Sequence, residues 1–232
     1  LQDPRYHYLW ILSWDHLYAF RPVAGGRLEQ VSTDALFTPE KKTVSNIYQS
    51  RDGDIWIAAF DHFSSIMSFR GSDVINFSYQ PMMEATGYNP AIVTLCKDED
   101  GWIWYYQETN GLYMCHPVNG GTSFDKPISY RQCPKVSQLP LNVVPYLVKS
   151  HQRNAIWVMT LPHTFFKLRR EGNQMVLDRK VELSTISKTS GNAEVIFEDS
   201  SQNLWIGTMN GVYKYDNARQ RLFCISDKIG DV

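Results

Sequence analysis

Five tryptophan-centred apolar cores recur along the chain at a nearly constant interval. They are Trp10-Ile11, Trp56-Ile57, Trp104-Tyr105, Trp157-Val158 and Trp205-Ile206, and successive tryptophans are 46, 48, 53 and 48 residues apart. A period in this range, with several short strands in each unit, is the mark of a β-propeller or a related repeat array. Units of this kind cannot bury their own apolar faces, so they stack on neighbours. This constrains the fold more tightly than any single residue does.

Each unit reads in the same order. An apolar pair three residues apart comes first: Val44 and Ile47, Ile92 and Leu95, Val144 and Leu147, Ala193 and Ile196. A polar turn follows, such as Arg51-Asp52-Gly53-Asp54, Asp98-Glu99-Asp100-Gly101, His151-Gln152-Arg153-Asn154 or Asp199-Ser200-Ser201-Gln202-Asn203. Asp, Asn and Gly suit tight hairpins because they tolerate positive φ and bond back to the backbone. The tryptophan strand is then apolar at consecutive positions, as in Ile55-Trp56-Ile57 and Ile156-Trp157-Val158, which fits a strand covered on both faces. A third strand carries an aromatic or aliphatic doublet, as in Phe165-Phe166 and Val212-Tyr213. The fourth is more polar: Arg27 to Ser32, Val74 to Tyr79, Pro127 to Gln132, Leu177 to Leu183 and Arg221 to Ser226. Charge on an outer edge discourages pairing with other chains.

No segment shows helical periodicity between caps. The sequence therefore predicts an all-β fold, a β-propeller of four-stranded antiparallel blades with about five repeat units. The units run over 1–43, 44–91, 92–142, 143–192 and 193–232 of one propeller segment. Trp10, Trp56, Trp104, Trp157 and Trp205 are expected at equivalent second-strand positions, each indole N–H reaching a neighbouring backbone carbonyl. Five sets of second to fourth strands are visible but only four first strands. The expectation is a piece of a longer array with neighbouring blades as its partners, and a homodimer through an uncovered face is a second possibility. The alternative is a closed five-bladed ring.

Composition narrows the function. A net charge of -1 lacks the basic stripe a nucleic-acid surface requires. The longest apolar run, Leu141 to Val148, is broken by Asn142 and Pro145, far short of the roughly 20 residues that span a bilayer, so no direct membrane contact is expected. Four cysteines in 232 residues do not make a disulfide framework. Cys96 and Cys115 read as buried thiols, while Cys133 and Cys224, near fourth strands, are expected to be more exposed. Asp98, Glu99, Asp100 and Gly101 resemble part of a calcium loop without its downstream bidentate Glu and read as an acidic hairpin turn. No metal site, cofactor or catalytic residue is nominated. A glycosidase pair would need two carboxylates about 5–9 Å apart, and no motif selects them.

Loops entering the first strands and loops between second and third strands emerge on one face of a propeller, and binding residues concentrate on such loops. Trp14, His62, Gln107, Glu108 and His163 are the candidate ligand-binding residues. Aromatic rings beside amides and carboxylates suit the faces and hydroxyls of sugars.

The last unit carries a family resemblance. Asp199 followed by Asn203-Leu204-Trp205-Ile206-Gly207-Thr208-Met209-Asn210-Gly211-Val212-Tyr213-Lys214-Tyr215-Asp216 resembles the two-component regulator propeller repeat. The second unit keeps Asp52-Gly53-Asp54-Ile55-Trp56-Ile57, and the third keeps Asp100-Gly101-Trp102-Ile103-Trp104 and Asn110-Gly111-Leu112-Tyr113. The other two keep only the tryptophan core and third strand. The Gly-Thr pair occurs once, at Gly207-Thr208. The resemblance implies the periplasmic sensor of a hybrid two-component system of Bacteroidetes. It also implies a larger seven-bladed or double propeller, an oligosaccharide or other small ligand, and a kinase and membrane span outside this chain. It further implies that this segment is not itself an enzyme. The competing classes are a non-catalytic interaction scaffold and a propeller lyase or glycoside hydrolase, since a fold does not fix a function.

Overall fold

The computed structural model describes residues 7–13, 16–33, 43–49, 55–60, 65–70, 73–78, 92–118, 123–144, 146–160, 164–182 and 193–225. It is all-β, built from antiparallel blades of the propeller type, and among the described residues there is no α-helix. The chain divides into two compact units, one of Leu1–Lys97 with Gly101–Pro127 and one of Asp98–Asp100 with Ile128–Val232.

The first unit begins with a three-stranded sheet, β1 (Leu9–Ser13), β2 (His16–Val23) and β3 (Arg27–Val31). A four-stranded sheet follows, in the order β4 (Thr43–Gln49), β5 (Ile55–Phe60), β6 (Ser65–Arg70) and β7 (Asp73–Ser78). Next come β8 (Ile92–Lys97), β9 (Ile103–Gln107) and β10 (Gly111–Cys115), successively antiparallel. A two-stranded ribbon, β11 (Pro117–Val118) with β12 (Ser123–Phe124), closes the unit. The core around β8–β10 holds Ile92, Leu95, Ile103, Tyr105, Tyr113 and Cys115, with Phe124 of the ribbon packed on it.

The second unit contains the short strand β13 (Ile128–Ser129) and two four-stranded blades. One is β14 (Tyr146–Lys149), β15 (Ala155–Thr160), β16 (Thr164–Glu171) and β17 (Gln174–Glu182). The other is β18 (Ala193–Glu198), β19 (Leu204–Thr208), β20 (Gly211–Asp216) and β21 (Arg221–Cys224). These two blades share one core: Trp157, Met159, Phe165 and Val181 face Ile196, Leu204, Ile206, Tyr213 and Tyr215.

The apolar pairs three residues apart have a local cause. In a regular strand, positions i and i+3 point to opposite faces. Here the register shifts between Val44 and Asn46, between Ile92 and Thr94, and between Ala193 and Val195. A β-bulge inserts one extra residue, so Ile92 and Leu95 enter one core, as do Ala193 and Ile196.

Among the described residues, the turns before four of the tryptophan strands repeat as well. His7, Gly101, Asn154 and Gln202 have φ of 60°, 89°, 56° and 63°, and each stands three residues before its tryptophan. The chain reverses there through a left-handed residue. This is the conformation that Gly adopts without strain and Asn more readily than other side chains.

Three expectations are corrected. The strand predicted over Pro127 to Gln132 is confined to Ile128–Ser129; Tyr130–Gln132 is a 3-10 turn capped by the Ser129 side chain, which accepts from the Arg131 N–H at 3.3 Å. Cys133 is fully buried rather than exposed. It sits under β17, where its sulfur accepts the Met175 N–H at 3.3 Å, and burial raises its thiol pKa. Finally, the indoles whose partners are described bond carboxylates, not backbone carbonyls. All four cysteines are free thiols.

Candidate functional site

Hairpins joining second to third strands are the described part of the predicted ligand face. Three of them share a polar residue three places after the tryptophan. The Thr160 hydroxyl donates to the Thr164 carbonyl at 3.1 Å, and the Thr208 hydroxyl donates to the Gly211 carbonyl at 3.0 Å. Gln107 holds the matching place between β9 and β10. Its side-chain carbonyl accepts from Asn110 Nδ2 at 3.4 Å, and the Asn110 N–H donates to the Gln107 carbonyl oxygen at 3.1 Å. Gln107 is fully buried and its side chain bonds within its own hairpin, while the next residue, Glu108, is exposed. Thr109 completes the turn with φ of 64°. Trp14, His62 and His163 lie outside the described residues, and so does the side chain of Trp56.

The described first-strand loop, ahead of β14, is anchored by buried side chains between exposed ones. Cys133, Val136, Leu141 and Val144 are buried. Successive backbone bonds close it, from the Val136 N–H to the Cys133 carbonyl at 3.0 Å and from the Leu139 N–H to the Val136 carbonyl at 2.9 Å.

The strongest electrostatics lie deeper, in two carboxylate centres of the second unit. Glu198 ends β18 with its side chain fully buried. It accepts the Trp157 indole N–H at 2.7 Å, the Ser150 hydroxyl at 2.8 Å, the Lys167 ammonium at 3.0 Å and the His151 backbone N–H. Burial alone would raise its pKa. The four donors outweigh burial and hold it below the ordinary carboxylate value, as charge-assisted bonds to an anion do.

The second centre is the Asp98–Asp100 turn. Asp98, also buried, accepts Arg170 Nε at 3.0 Å. Asp100 accepts Arg170 Nη2 at 2.6 Å, Arg153 Nη2 at 2.9 Å and Asn154 Nδ2 at 2.8 Å. Arg153 and then Arg170 hold the Asp100 pKa down at about 2. Glu99 pairs with Lys149 at 3.0 Å. An acidic turn already neutralised by two arginines and a lysine is a structural tie, which answers the calcium-loop resemblance. Among the described residues, no group of three His, Cys, Asp or Glu side chains is arranged to hold a metal ion.

Glu198 is not legible in the sequence, because a lone acid at a strand end looks like any other polar boundary. One signal was available. Ser150 and Asp199 both open the turn after a first strand, and both accept the N–H two residues on, from Gln152 and Ser201, at 3.0 Å. Asp199 also reaches the Trp205 indole at 2.8 Å. Ser150 has no carboxylate to offer Trp157, so that indole is served by the following blade.

No family model matches the chain, and no curated protein matches it. Solved structures do. The extracellular domain of a putative one-component system from B. thetaiotaomicron is 15% identical with a TM-score of 0.66, over 97% of this chain and 30% of that one. The extracellular domain of a putative hybrid two-component system from the same organism is 15% identical with a TM-score of 0.62, over 96% of this chain and 28% of that one. A streptogramin B lyase is 10% identical with a TM-score of 0.59, over 95% of this chain and 69% of that one. The chain thus spans less than a third of the length of the two extracellular domains. At these identities the likeness establishes the propeller-type fold. Among the described residues, no helix is long and apolar enough to cross a membrane.

Proposed function

We propose that this chain is a ligand-sensing propeller segment of an extracytoplasmic, periplasmic sensor of the hybrid two-component type, with an oligosaccharide as its ligand. One coincidence carries the reading. The Leu204-Trp205-Ile206-Gly207-Thr208 repeat resembles that sensor family in sequence, and the fold is like extracellular domains described as one- and two-component systems. The segment binds and does not catalyse; signalling belongs to parts outside it. The ligand face is the second-to-third-strand side, where exposed Glu108 sits on a hydrogen-bonded hairpin beside Thr109 and Asn110.

Calorimetric titration of the protein with a panel of plant and host-glycan oligosaccharides tests this. Saturable binding that weakens at least tenfold in Glu108→Ala or Trp14→Ala supports the reading. Binding unchanged in both variants removes this face, and no binding across the panel removes the sugar. The likeness to a streptogramin B lyase favours a second reading, an enzyme of the lyase class; turnover of streptogramin B by the purified protein would establish it.

A further inference from the structure

The two units finish a third strand in different ways. Strand β10 opens at Gly111 and β20 at Gly211, so Tyr113 and Cys115 hold the places of Tyr213 and Tyr215. Each pair belongs to the core of its own unit. After β10 the chain makes the β11–β12 ribbon. Phe124 of that ribbon packs on the Tyr113 and Cys115 core, and β12 lies against β7, the outer strand of the preceding blade. After β20 the chain turns directly into β21, where Leu222 stands opposite Tyr215 and packs on the core. A cleft of about 360 Å³ is left between this hairpin and β17, the outer strand of the preceding blade. It is lined by Lys180, Val181 and Glu182 of β17 and by Tyr215, Gln220 and Leu222. An extended ribbon of the chain fills this place in the first unit; in the second it is open.

Three features define what fits there. Strands β17 and β21 each stand last in the order of their sheet, and an edge strand offers backbone groups to a further extended chain. Val181 and Leu222 beside the Tyr215 ring give an apolar floor. The rim is polar. Lys180 and Glu182 pair with each other while 49% and 40% exposed, and an exposed pair contributes so little that an incoming carboxylate takes the lysine at small cost. The Gln220 side chain supplies both a donor and an acceptor for a peptide group.

We propose that this cleft is a docking site for an extended peptide segment of another protein, one that carries an aromatic side chain next to a carboxylate. The ring lies on the apolar floor, as Phe124 lies on the core of the first unit. The carboxylate meets Lys180, and the main chain bonds along a sheet edge. The ribbon of this chain contains the same pattern, Ser123-Phe124-Asp125, and so supplies a probe. The site lies on outer strands rather than on the hairpins between second and third strands, and it stands independently of the ligand proposed above.

The test titrates the full chain into a fluorescent synthetic peptide that copies residues 116–127, read by anisotropy. Binding should saturate. It should weaken at least tenfold when the peptide carries Phe124→Ala, and at least tenfold when the protein carries Lys180→Glu. A peptide with Asp125→Lys should recover binding to the Lys180→Glu protein, which a variant that had merely lost its fold would not allow. Absence of saturable binding overturns the proposal, and so does binding that neither change weakens. Self-association of the full chain that Lys180→Glu abolishes, seen by sedimentation, also overturns it, because a second copy would then be the occupant.

Discussion

Trp157 and Glu198 are joined by a 2.7 Å hydrogen bond from the indole of one blade to the carboxylate of the next. The pair sits inside the core both blades share, with Lys167 completing it. Its loss would leave an ammonium and an indole N–H buried without their acceptor. Removing one partner of a buried ion pair costs about 3–5 kcal/mol. Glu198→Ala should therefore lower unfolding stability by that order, read from urea titration of intrinsic fluorescence, and Glu198→Gln should lower it less.

The contrast between Ser150 and Asp199 predicts a rescue. Ser150→Asp alone places a second carboxylate against Glu198 and should destabilise the protein. In the Glu198→Gln background the same change supplies Trp157 with an acid from its own turn, as Asp199 does for Trp205. The double variant should be more stable than either single one. A double-mutant cycle in urea measures this coupling; additive losses would show that the two acids do not share a role.

Acid should unfold the chain through these same carboxylates. Burial would raise the Asp199 pKa, but bonds from Trp205, Asn203 and Ser201 bring it to about 2 from an ordinary 3.8. Asp100 is likewise about 2. A carboxylate depressed in the folded state contributes stability that is complete above its unfolded value and is lost as pH falls through the folded one. Thermal midpoints should hold to about pH 4.5 and drop between there and pH 2. In Asp199→Asn that acid limb should be shallower, with a lower midpoint at neutral pH.

The left-handed turn residues predict gains. A non-glycine residue in this conformation carries a strain of about 1–2 kcal/mol, partly offset by glycine's greater freedom when unfolded. Gln202→Gly should stabilise by about 0.5 kcal/mol. Asn154→Gly should gain less, because Asn adopts the conformation more easily and its side chain also donates to Asp100 at 2.8 Å. Paired thermal melts rank the two.

Gly207 predicts a loss with a specific remedy. A Cβ placed there would stand 2.8 Å from Val195 Cγ1. Gly207→Ala should cost about 1 kcal/mol, at the low end for overpacking, because half-exposed Val195 has room to turn. Val195→Ala in the same chain should recover it, as chemical denaturation would show.

The tryptophan period, the all-β class and the turn chemistry were legible because each rests on residues that one conformation favours strongly. The spacing of Ile92 and Leu95 was visible, but its meaning was not. An i, i+3 pair contradicts strand alternation until the bulge at Thr94 is known. Glu198 was not legible because its partners Ser150, Trp157 and Lys167 lie 48, 41 and 31 residues away, and no local pattern links them. Cys133 was misplaced for a related reason: a proline-flanked polar stretch reads as a loop tip, yet Tyr130, Cys133, Val136 and Leu141 are all buried, with Cys133 against Met175 of β17. In the hairpin between β9 and β10, Gln107 is buried and Glu108 exposed. In the sequence both were simply polar neighbours.

The left-handed residue also acts as a ruler. Lys149 pairs with Ile156, whereas Glu198 pairs with Leu204, so the turn into β15 is one residue longer than the turn into β19. In both, the left-handed residue still stands three places before the tryptophan. The insertion is absorbed entirely on the upstream side. An alignment of such repeats anchored on tryptophan will thus keep the left-handed residue and the second strand in phase while shifting the first strand by one; the third strand shifts as well, since Trp157 pairs with Lys167, ten residues on, and Trp205 with Lys214, nine on. That single step moves every side chain of a first strand to the opposite face. Grafting or shuffling of blades should therefore cut upstream of the first strand, never within the turn, so that each tryptophan keeps the strand whose register it sets.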